Sequence, residues 1–172
     1  MEKKILNFWK NKRVLVTGHT GFKGAWMSLI LSQLKSKVIT YSQKQKKEKK
    51  LYKFFNLKKK LYHSTFNDIL DRSKLRKVVN KFRPQIVFHF AAQSLVIDSY
   101  HRPFETINSN VIGLTNLLEF CNSKYTKSII IVTSDKCYDN SQNYKYFSEN
   151  NRLGGKDIYS SSKACAELIA NS

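Results

Sequence analysis

The chain has 172 residues, of which 41% are hydrophobic, and it carries a formal net charge of +19. This length can bury one ordinary hydrophobic core, so we expect a single domain. No apolar run approaches membrane-spanning length, and Met1–Lys4 leads into only a short apolar patch without a cleavage site, so we expect a cytoplasmic protein. The three cysteines, Cys121, Cys137 and Cys165, lack any Cys-x-x-Cys spacing, which predicts reduced thiols and no metal site.

The positive charge is concentrated in a lysine-rich segment, residues 43–60. A basic surface attracts polyanions whatever its fold, so nucleic-acid binding is one hypothesis. A charge run is more often the solvated face of a loop or helix, however, and lysine far exceeds arginine here, which favours compositional bias over bidentate phosphate recognition. We therefore expect a solvated surface and do not expect nucleic acid or a membrane to be the partner.

Strand and helix patterns alternate along the chain, which is typical of a parallel sheet covered by helices. Short apolar runs predict strands near Arg13–Thr17, Lys37–Tyr41, Leu61–Phe66, Gln85–Phe90 and Ser128–Thr133. Apolar residues at helical spacing predict helices through Trp26, Leu29, Ile30 and Leu34, through Leu75, Val78, Val79 and Phe82, and through Val111, Leu114, Leu117, Leu118 and Cys121.

These elements predict an α/β fold, a doubly wound parallel sheet of the Rossmann type with strand order 3-2-1-4-5. Asp71 or Ser73 is expected to cap the second of the predicted helices. The last predicted helix, Tyr159–Ala170, has no strand after it, so the sheet is expected to lack its final strands. Residues 138–157 predict a long loop, and a loop of this length in a compact domain is more often functional than not.

A glycine motif follows the first predicted strand. Gly18, Gly21 and Gly24 recur at offsets of three, directly before a helical pattern. A strand, a glycine turn and a helix in this order bring backbone amides close to a pyrophosphate, which then lies at the N-terminus of the helix. The motif therefore predicts a dinucleotide site.

A Tyr-x-x-x-Lys pair, Tyr159 and Lys163, lies near the end of the chain. Residues four apart lie on one face of a helix. A tyrosine side chain has an ordinary pKa of about 10 and is a poor base at neutral pH, so an adjacent ammonium is needed to favour the phenolate. Such a pair alone is usually an ordinary helix face, but the upstream glycine motif makes it a candidate catalytic pair of a nicotinamide enzyme.

These strings resemble the extended short-chain dehydrogenase/reductase family of sugar-nucleotide epimerases and dehydratases. The resemblance covers nearly all of the chain but only about the N-terminal half of the family's usual length. It implies NAD as the cofactor, a nucleotide sugar as the substrate and a homo-oligomer as the full-length assembly. The segments that carry it are residues 8–14, 16–24, 88–93, 132–138 and 159–168.

The resemblance also implies which residues hold NAD. Asp68 and Ile69 match the family's adenine-contacting pair, and residues 91–93 match its segment along the ribose and nicotinamide. Asn110 matches an asparagine that shapes the active site. The implied cofactor contacts in this chain are Gly18, Thr20, Gly21, Phe22, Lys23, Gly24, Asp68, Ile69, Ala91, Ala92, Gln93, Asn110, Tyr159 and Lys163.

The implied catalytic residues are Ser134, Asp135, Lys136, Tyr159 and Lys163. In the family, a Ser or Thr hydroxyl donates to the sugar 4-oxygen and the next two residues act as acid and base for loss of water. Tyr159 then takes the 4-hydroxyl proton, Lys136 helps remove the C5 proton, and Asp135 protonates the departing 6-hydroxyl. Lysine rather than glutamate at position 136 indicates the branch that dehydrates CDP-glucose, for deoxysugar and surface polysaccharide synthesis.

Two departures leave alternatives open. The second strand leads into Thr40–Lys44 without the acidic residue that usually binds the ribose 2′-hydroxyl, which weakens the preference for NAD over NADP. The family's C-terminal half, which supplies most of the nucleotide-sugar pocket, has no counterpart here. A catalytically inactive NAD-binding remnant is therefore one alternative, and a sugar-nucleotide 4-epimerase is another.

Overall fold

The computed structural model of the chain describes residues 2–44, 50–121, 124–140 and 146–172. The Cα positions divide the chain into two compact units. We call Met1–Ala91 with Asn116–Ile131 the sheet unit, and Ala92–Thr115 with Val132–Ser172 the helical unit. The expectation of a single domain stays a prediction, and each unit is described by itself.

The sheet unit is built on a parallel sheet of five strands formed by the described residues. Its order is β3-β2-β1-β4-β5, as the sequence predicts, so the doubly wound Rossmann fold is confirmed. In chain order the strands are β1 Arg13–Thr17, β2 Lys37–Ser42, β3 His63–Phe66, β4 Ile86–His89 and β5 Ser128–Ile131.

The helices of the sheet unit include two long ones that connect its strands. In chain order they are α1 Glu2–Trp9, α2 Phe22–Gln33, α3 Lys50–Phe54, α4 Leu57–Lys60 and α5 Arg72–Phe82. Of the two predicted caps, Asp71 and Ser73, it is Asp71 that caps α5, and its side chain accepts a hydrogen bond from the backbone N–H of Lys74. The N–H of Lys74, together with the side chain of Asn67, holds the pKa of the Asp71 carboxyl below its ordinary value.

Buried apolar side chains from strands and helices form the core. Leu15, Ile39 and Val87, on three adjacent strands, pack with Leu75 of α5, and all four side chains are buried. Apolar residues, mostly β-branched or leucine, follow one another along β1 and β4, because a central parallel strand is covered on both faces.

The apolar spacing predicts the existence of α2 correctly but its buried face wrongly. Trp26 and Ile30, expected on the core stripe, are exposed. The residues buried on α2 are instead Gly24, Ala25, Ser28 and Leu31. Small residues are buried in the first turns of α2 because the glycine turn brings this part of the helix close to the end of β1, and Leu31 is buried further along the helix.

Two helices interrupt the lysine-rich segment. Lys53 and Lys58–Lys60 are exposed in the described part of this segment, which agrees with the expected solvated face. Lys46, Lys47 and Lys49 lie outside the described residues. Phe55 and Leu57 anchor the segment because their side chains are buried with Ala25 in a separate apolar cluster.

The helical unit contains α6 Val96–His101, α7 Pro103–Ile107 and α9 Ile158–Asn171. A π-helical turn spans Asn108–Ile112, and α8, Gly113–Phe120, follows it with residues in both units. The predicted third helix therefore begins with a wider turn, which a 3.6-residue apolar spacing does not reveal.

The predicted loop at residues 138–157 is closed by an antiparallel bridge between Tyr138 and Leu153. The backbone N–H of Gly154 donates to the carbonyl of Cys137 at 2.9 Å, which joins the two ends of the loop. Residues 141–145 of this loop lie outside the described part. Across the described ranges, every helix is too short or too polar to cross a lipid bilayer.

Candidate functional site

The predicted site residues divide between the two units. Nine of the predicted cofactor contacts lie in the sheet unit, at the carboxyl ends of its strands and in the glycine turn: Gly18, Thr20, Gly21, Phe22, Lys23, Gly24, Asp68, Ile69 and Ala91. The helical unit holds the remaining contacts and all of the predicted catalytic residues: Ala92, Gln93, Asn110, Ser134, Asp135, Lys136, Tyr159 and Lys163.

The glycine turn is a tight backbone arrangement directly after β1. Gly18 has φ +72°, in the region that side chains avoid, and a Cβ there would lie 2.7 Å from the backbone nitrogen of Ala91. A Cβ on Gly24 would lie 2.3 Å from the carbonyl oxygen of Gly18. Both positions therefore require glycine, since the atoms in the way are backbone atoms that cannot yield.

The start of α2 fits a pyrophosphate. Gly21 occupies the N-cap and has no side chain to accept the first-turn N–H groups of the helix. A Cβ on Gly21 would meet only the carbonyl oxygen of Gly18 within 4 Å, so the turn is open on its other sides. Exposed amide donors at the positive end of a 12-residue helix are suited to an anionic phosphate.

Hydroxyl and amide groups line the carboxyl end of β2, where a carboxylate is usual. Ser42 and Thr20 share a buried hydrogen bond of 2.8 Å between their hydroxyls. Gln43 donates its side-chain N–H to the carboxylate of Asp68 at 2.5 Å. The structure thus brings Thr20 and Asp68, two predicted cofactor contacts, to the end of the same strand.

A second polar network lies where β4 ends. The Thr17 hydroxyl lies 2.8 Å from Nδ1 of His89 and accepts the backbone N–H of Ala91 at 3.1 Å. These contacts hold the backbone of Ala91 beside the end of β1, next to Gly18. Thr17 and His89 are not among the residues expected from sequence, and the signal that points to them is a polar residue at the end of each of two apolar strands.

His19, inside the glycine motif, is fully buried. Its Nε2 lies 3.3 Å from the Ser64 hydroxyl, and its ring contacts those of Tyr52 and Phe66. Burial lowers the pKa of His19 to about 4, so the imidazole is neutral at physiological pH. A neutral ring in this position contributes packing to the turn and no charge.

Tyr159 and Lys163 lie on one face of α9, as the spacing predicts. The Lys163 Nζ is 6.0 Å from the centre of the Tyr159 ring and donates to the carbonyl oxygen of Val132 at 3.1 Å. Both side chains are largely buried, at 8% and 7% exposure. The structure therefore places an ammonium group beside the ring of Tyr159.

Ser134, Asp135 and Lys136 form a short turn that begins three residues after β5 ends. Asp135–Cys137 is a single 3-10 turn, capped by the Ser134 hydroxyl, which accepts the backbone N–H of Lys136. The Ser134 hydroxyl also donates to the Asp135 carboxylate at 3.0 Å. Asp135 and Lys136 are exposed, so their side chains are accessible to a substrate.

This turn is joined to α9 by contacts within the helical unit. The 3-10 turn packs against α9. Thr133, directly before Ser134, donates its hydroxyl hydrogen to the carboxylate of Glu167. Since Lys163 binds the carbonyl of Val132, two side chains of α9 hold the segment that leads into the Ser134 turn. The structure therefore brings all five predicted catalytic residues into one unit.

Asn110 and Gln93 are also linked. The Asn110 side chain accepts the backbone N–H of Gln93 at 2.8 Å and donates to its carbonyl at 3.0 Å. The side chain of Gln93 instead bonds to Leu95 and to the Thr106 hydroxyl. In this arrangement the Gln93 carboxamide is used within the protein, and its backbone is the part that Asn110 holds in place.

Asp157 sets the start of α9, two residues before Tyr159. Its carboxylate accepts the backbone N–H of Ser160 at 2.9 Å and the Ser160 hydroxyl at 2.7 Å. The sequence analysis did not select this cap, although an aspartate three residues before a serine at a helix start is a recognisable signal.

The three cysteines of the sequence lie among the residues that the structure describes. Cys121, Cys137 and Cys165 are free thiols, and burial raises the pKa of Cys121 to about 11. Within residues 2–44, 50–121, 124–140 and 146–172, no group of three histidine, cysteine or acidic side chains is arranged to hold a metal ion.

The chain is similar in sequence to known sugar-nucleotide dehydratases. The profile of one protein family, described as GDP-mannose 4,6 dehydratase, matches residues 15–172. A CDP-glucose 4,6-dehydratase of Salmonella typhimurium is 46% identical over 166 residues, which cover 96% of this chain. The chain spans 46% of the length of that relative.

Solved structures show the same architecture. A UDP-glucose 4-epimerase of Thermotoga maritima, determined with UDP-glucose, is 26% identical and superimposes with a TM-score of 0.80 over 92% of this chain and 50% of the epimerase. A UDP-glucose 4-epimerase of Brucella ovis, determined in complex with NAD, is 24% identical and superimposes with a TM-score of 0.77 over 92% of this chain and 46% of that one.

Proposed function

Because the chain belongs to the GDP-mannose 4,6 dehydratase family, we propose that it is the cofactor-binding and catalytic portion of an NAD-dependent 4,6-dehydratase that converts CDP-glucose to CDP-4-keto-6-deoxyglucose. The dehydratase family is NAD-dependent. The choice of CDP-glucose is supported by the 46% identity with the Salmonella enzyme. The same proposal has three further parts. The reaction would serve deoxysugar synthesis for surface polysaccharide, including lipopolysaccharide O-antigen. The protein would be cytoplasmic, and the full-length protein would be a homo-oligomer.

One observation carries the assignment of chemistry. The Lys163 ammonium binds the carbonyl of Val132 at 3.1 Å while it lies 6.0 Å from the Tyr159 ring. This lysine therefore connects the proposed base with the segment that leads into the Ser134 turn.

In the proposed mechanism, the first-turn amides of α2 and the Gly18 turn would hold the pyrophosphate of NAD, and Asp68 would bind the adenine. Bound there, NAD would supply the acceptor and donor of hydride that the reaction needs. Tyr159 accepts the proton of the sugar 4-hydroxyl, assisted by the positive charge of Lys163. With the substrate bound, the Ser134 hydroxyl would turn from the Asp135 carboxylate and donate its single hydrogen to the same sugar oxygen.

Loss of water is assigned to the Ser134 turn. Lys136 removes the proton at C5, which the neighbouring ketone has made acidic, and Asp135 donates a proton to the departing 6-hydroxyl. The two side chains are adjacent in sequence and both exposed, so one substrate can reach both. An acid and a base that act on neighbouring carbons must approach the substrate together, as this turn allows.

The test uses the purified chain with NAD and CDP-glucose, and mass spectrometry of the sugar nucleotide. We expect a product lighter than the substrate by one water. Tyr159→Phe should abolish turnover while NAD binding, followed by fluorescence titration, stays within about twofold, since the lost hydroxyl acts on the sugar. Tyr100→Phe, an exposed tyrosine of the same unit, is the matched control and should retain full activity.

The same assay separates the alternatives. A product of unchanged mass would indicate an epimerase, and NAD binding without any product would indicate an inactive remnant. Lys136→Met should still form reduced nicotinamide but release no water. Normal product formation by Lys136→Met would contradict the role given to this lysine.

A further inference from the structure

A buried polar chain inside the helical unit joins the catalytic helix to the segment after β4. Ser162 is fully buried and Asn110 is 3% exposed. The Asn110 side-chain nitrogen lies 2.9 Å from the Ser162 hydroxyl oxygen. That hydroxyl lies 2.6 Å from the carbonyl oxygen of Tyr159, one turn earlier on α9. Neither the glycine motif nor the Tyr-x-x-x-Lys pair includes Ser162.

The hydrogen bonds that link Gln93, Asn110, Ser162 and Tyr159 have only one consistent assignment of donors and acceptors. The Asn110 oxygen must face the N–H of Gln93, so the amide nitrogen faces the Gln93 carbonyl and Ser162. An amide nitrogen only donates, so the Ser162 hydroxyl accepts from Asn110 and its single hydrogen goes to the Tyr159 carbonyl. All hydrogen-bonding atoms of the Asn110 side chain are thereby used.

We propose that Ser162 is a positioning residue for Tyr159. Its hydroxyl is held by Asn110, which is itself bonded to the backbone of Gln93, and it bonds to the turn of α9 that carries the tyrosine. Ser162 thereby fixes the position of that turn relative to the Gln93 backbone. The inference rests on the proposed function, because it takes Tyr159 as the base. It adds a residue that holds the phenol at a set distance from the segment assigned to the nicotinamide side of the site.

The local geometry supports a role beyond helix packing. A serine that bonds back to the carbonyl of its own helix slightly weakens or bends that helix, so α9 gains nothing from this bond alone. The partner, Asn110, lies in a π-helical turn, and such turns occur frequently at functional sites because they redirect a side chain. Ser161, the preceding residue, is less buried, and its hydroxyl makes a longer bond of 3.4 Å to Gly155.

The experiment compares Ser162→Ala with the matched control Ser161→Ala in the full chain. The tyrosines carry a 13C label on the ring, and Tyr159→Phe identifies the Tyr159 signal. We expect Ser162→Ala to shift that signal and Ser161→Ala to leave it unchanged. With NAD and CDP-glucose, Ser162→Ala should slow hydride transfer by about tenfold to a hundredfold, while the affinity for NAD changes less than about twofold.

A pH profile and a double mutant complete the test. If the hydroxyl positions the base, the pH at which hydride transfer is half-maximal should rise in Ser162→Ala. The double variant Asn110→Ala, Ser162→Ala should then be no slower than the slower of the two single variants. An unchanged Tyr159 signal and an unchanged rate in Ser162→Ala would overturn the inference, as would equal effects of both serine variants. Failure of the unmodified chain to bind NAD would instead contradict the proposed function. The two failures can be distinguished because the 13C experiment needs no cofactor.

Discussion

The two units of this chain are organised by different interactions. All three hydrophobic clusters formed by the described residues lie in the sheet unit, where Leu15, Leu31 and Leu57 are at most 1% exposed. In the helical unit, hydrogen bonds link residues beside the predicted catalytic ones to their surroundings: Asn110 to Ser162, which is buried, and Asp157 to Ser160, which is partly buried. The sheet unit is therefore distinguished by its apolar clusters and the helical unit by its side-chain hydrogen bonds.

Charge divides in the same way. The sheet unit has 25 lysine and arginine residues against 5 acidic ones, whereas the helical unit has 6 against 7. The whole positive excess therefore belongs to the sheet unit, where a phosphate-bearing cofactor is proposed to bind. A positive field attracts anionic ligands from a distance, while a balanced site leaves local groups to determine the chemistry. Changes to the first unit should therefore alter stability and affinity, and changes to the second should alter reaction rate.

The largest effect is expected from Gly24→Ala in the sheet unit. The added Cβ would lie 2.3 Å from the Gly18 carbonyl oxygen and 2.8 Å from its carbon. Because backbone atoms block the methyl group, we expect a loss of about 3 kcal/mol in the free energy of unfolding and loss of NAD binding. Gly21→Ala, whose Cβ would be 3.2 Å from the Gly18 oxygen, should cost less than about 1 kcal/mol. Equal urea midpoints for the two variants would contradict the close-approach argument.

His19 should make the sheet unit sensitive to acid. Its pKa is lowered from 6.5 to about 4 by burial, so the unfolded chain binds more protons in this range and stability falls as the pH falls from 6.5 towards 4. The expected loss by pH 5 is about 2 kcal/mol, measured by urea unfolding at several pH values. His19→Asn should flatten this dependence, and His101→Asn, an exposed histidine, should not. A profile that is the same with and without His19 would assign the acid sensitivity elsewhere.

The two aspartate caps provide a matched pair across the units. Asp71 caps α5 and Asp157 caps α9, each accepting an N–H three residues later. Replacement of either by alanine should cost about 1 kcal/mol of stability. Only Asp157→Ala should also slow hydride transfer, because Tyr159 lies two residues beyond that cap. Similar turnover in both variants would show that the start of α9 does not position the base.

The smallest effects are expected from exposed ion pairs. Arg72 bonds to Glu119 in the sheet unit at 2.7 Å, and Arg102 bonds to Glu105 in the helical unit at 3.2 Å. Half or more of each glutamate side chain is exposed, so solvent screens both pairs. Glu119→Gln and Glu105→Gln should each change stability by less than about 0.5 kcal/mol in thermal unfolding. A larger loss in one unit would mean that its surface charges contribute to holding it together.

Much of the sheet unit could be predicted from sequence because its signals are local. All five strands, their order and the Asp71 cap follow from short apolar runs and a polar residue before a helix. Trp26 and Ile30 of α2 are exposed although large apolar side chains suggest a core face, because the first turns of the helix approach β1 closely at Gly24 and bury mainly small side chains there. Helices α6 and α7 are too short for an apolar period to reveal them.

The candidate site shows the same division. The positions of Tyr159 and Lys163 on one face follow from helix geometry alone. The links from Lys163 to Val132, from Thr133 to Glu167 and from Ser162 to Asn110 join residues more than 30 positions apart. No spacing rule connects such pairs, so the sequence analysis found the chemical groups but not what holds them.

The sequence by itself determined the kind and order of the strands, the glycine turn and the pairing of a tyrosine with a lysine, because each depends on residues close together in the chain. Only the tertiary structure decided which face of α2 is buried, that His19 is neutral, and that Ser162 meets Asn110. Burial and buried hydrogen bonds depend on which distant segments pack together, and that is a property of the folded chain as a whole.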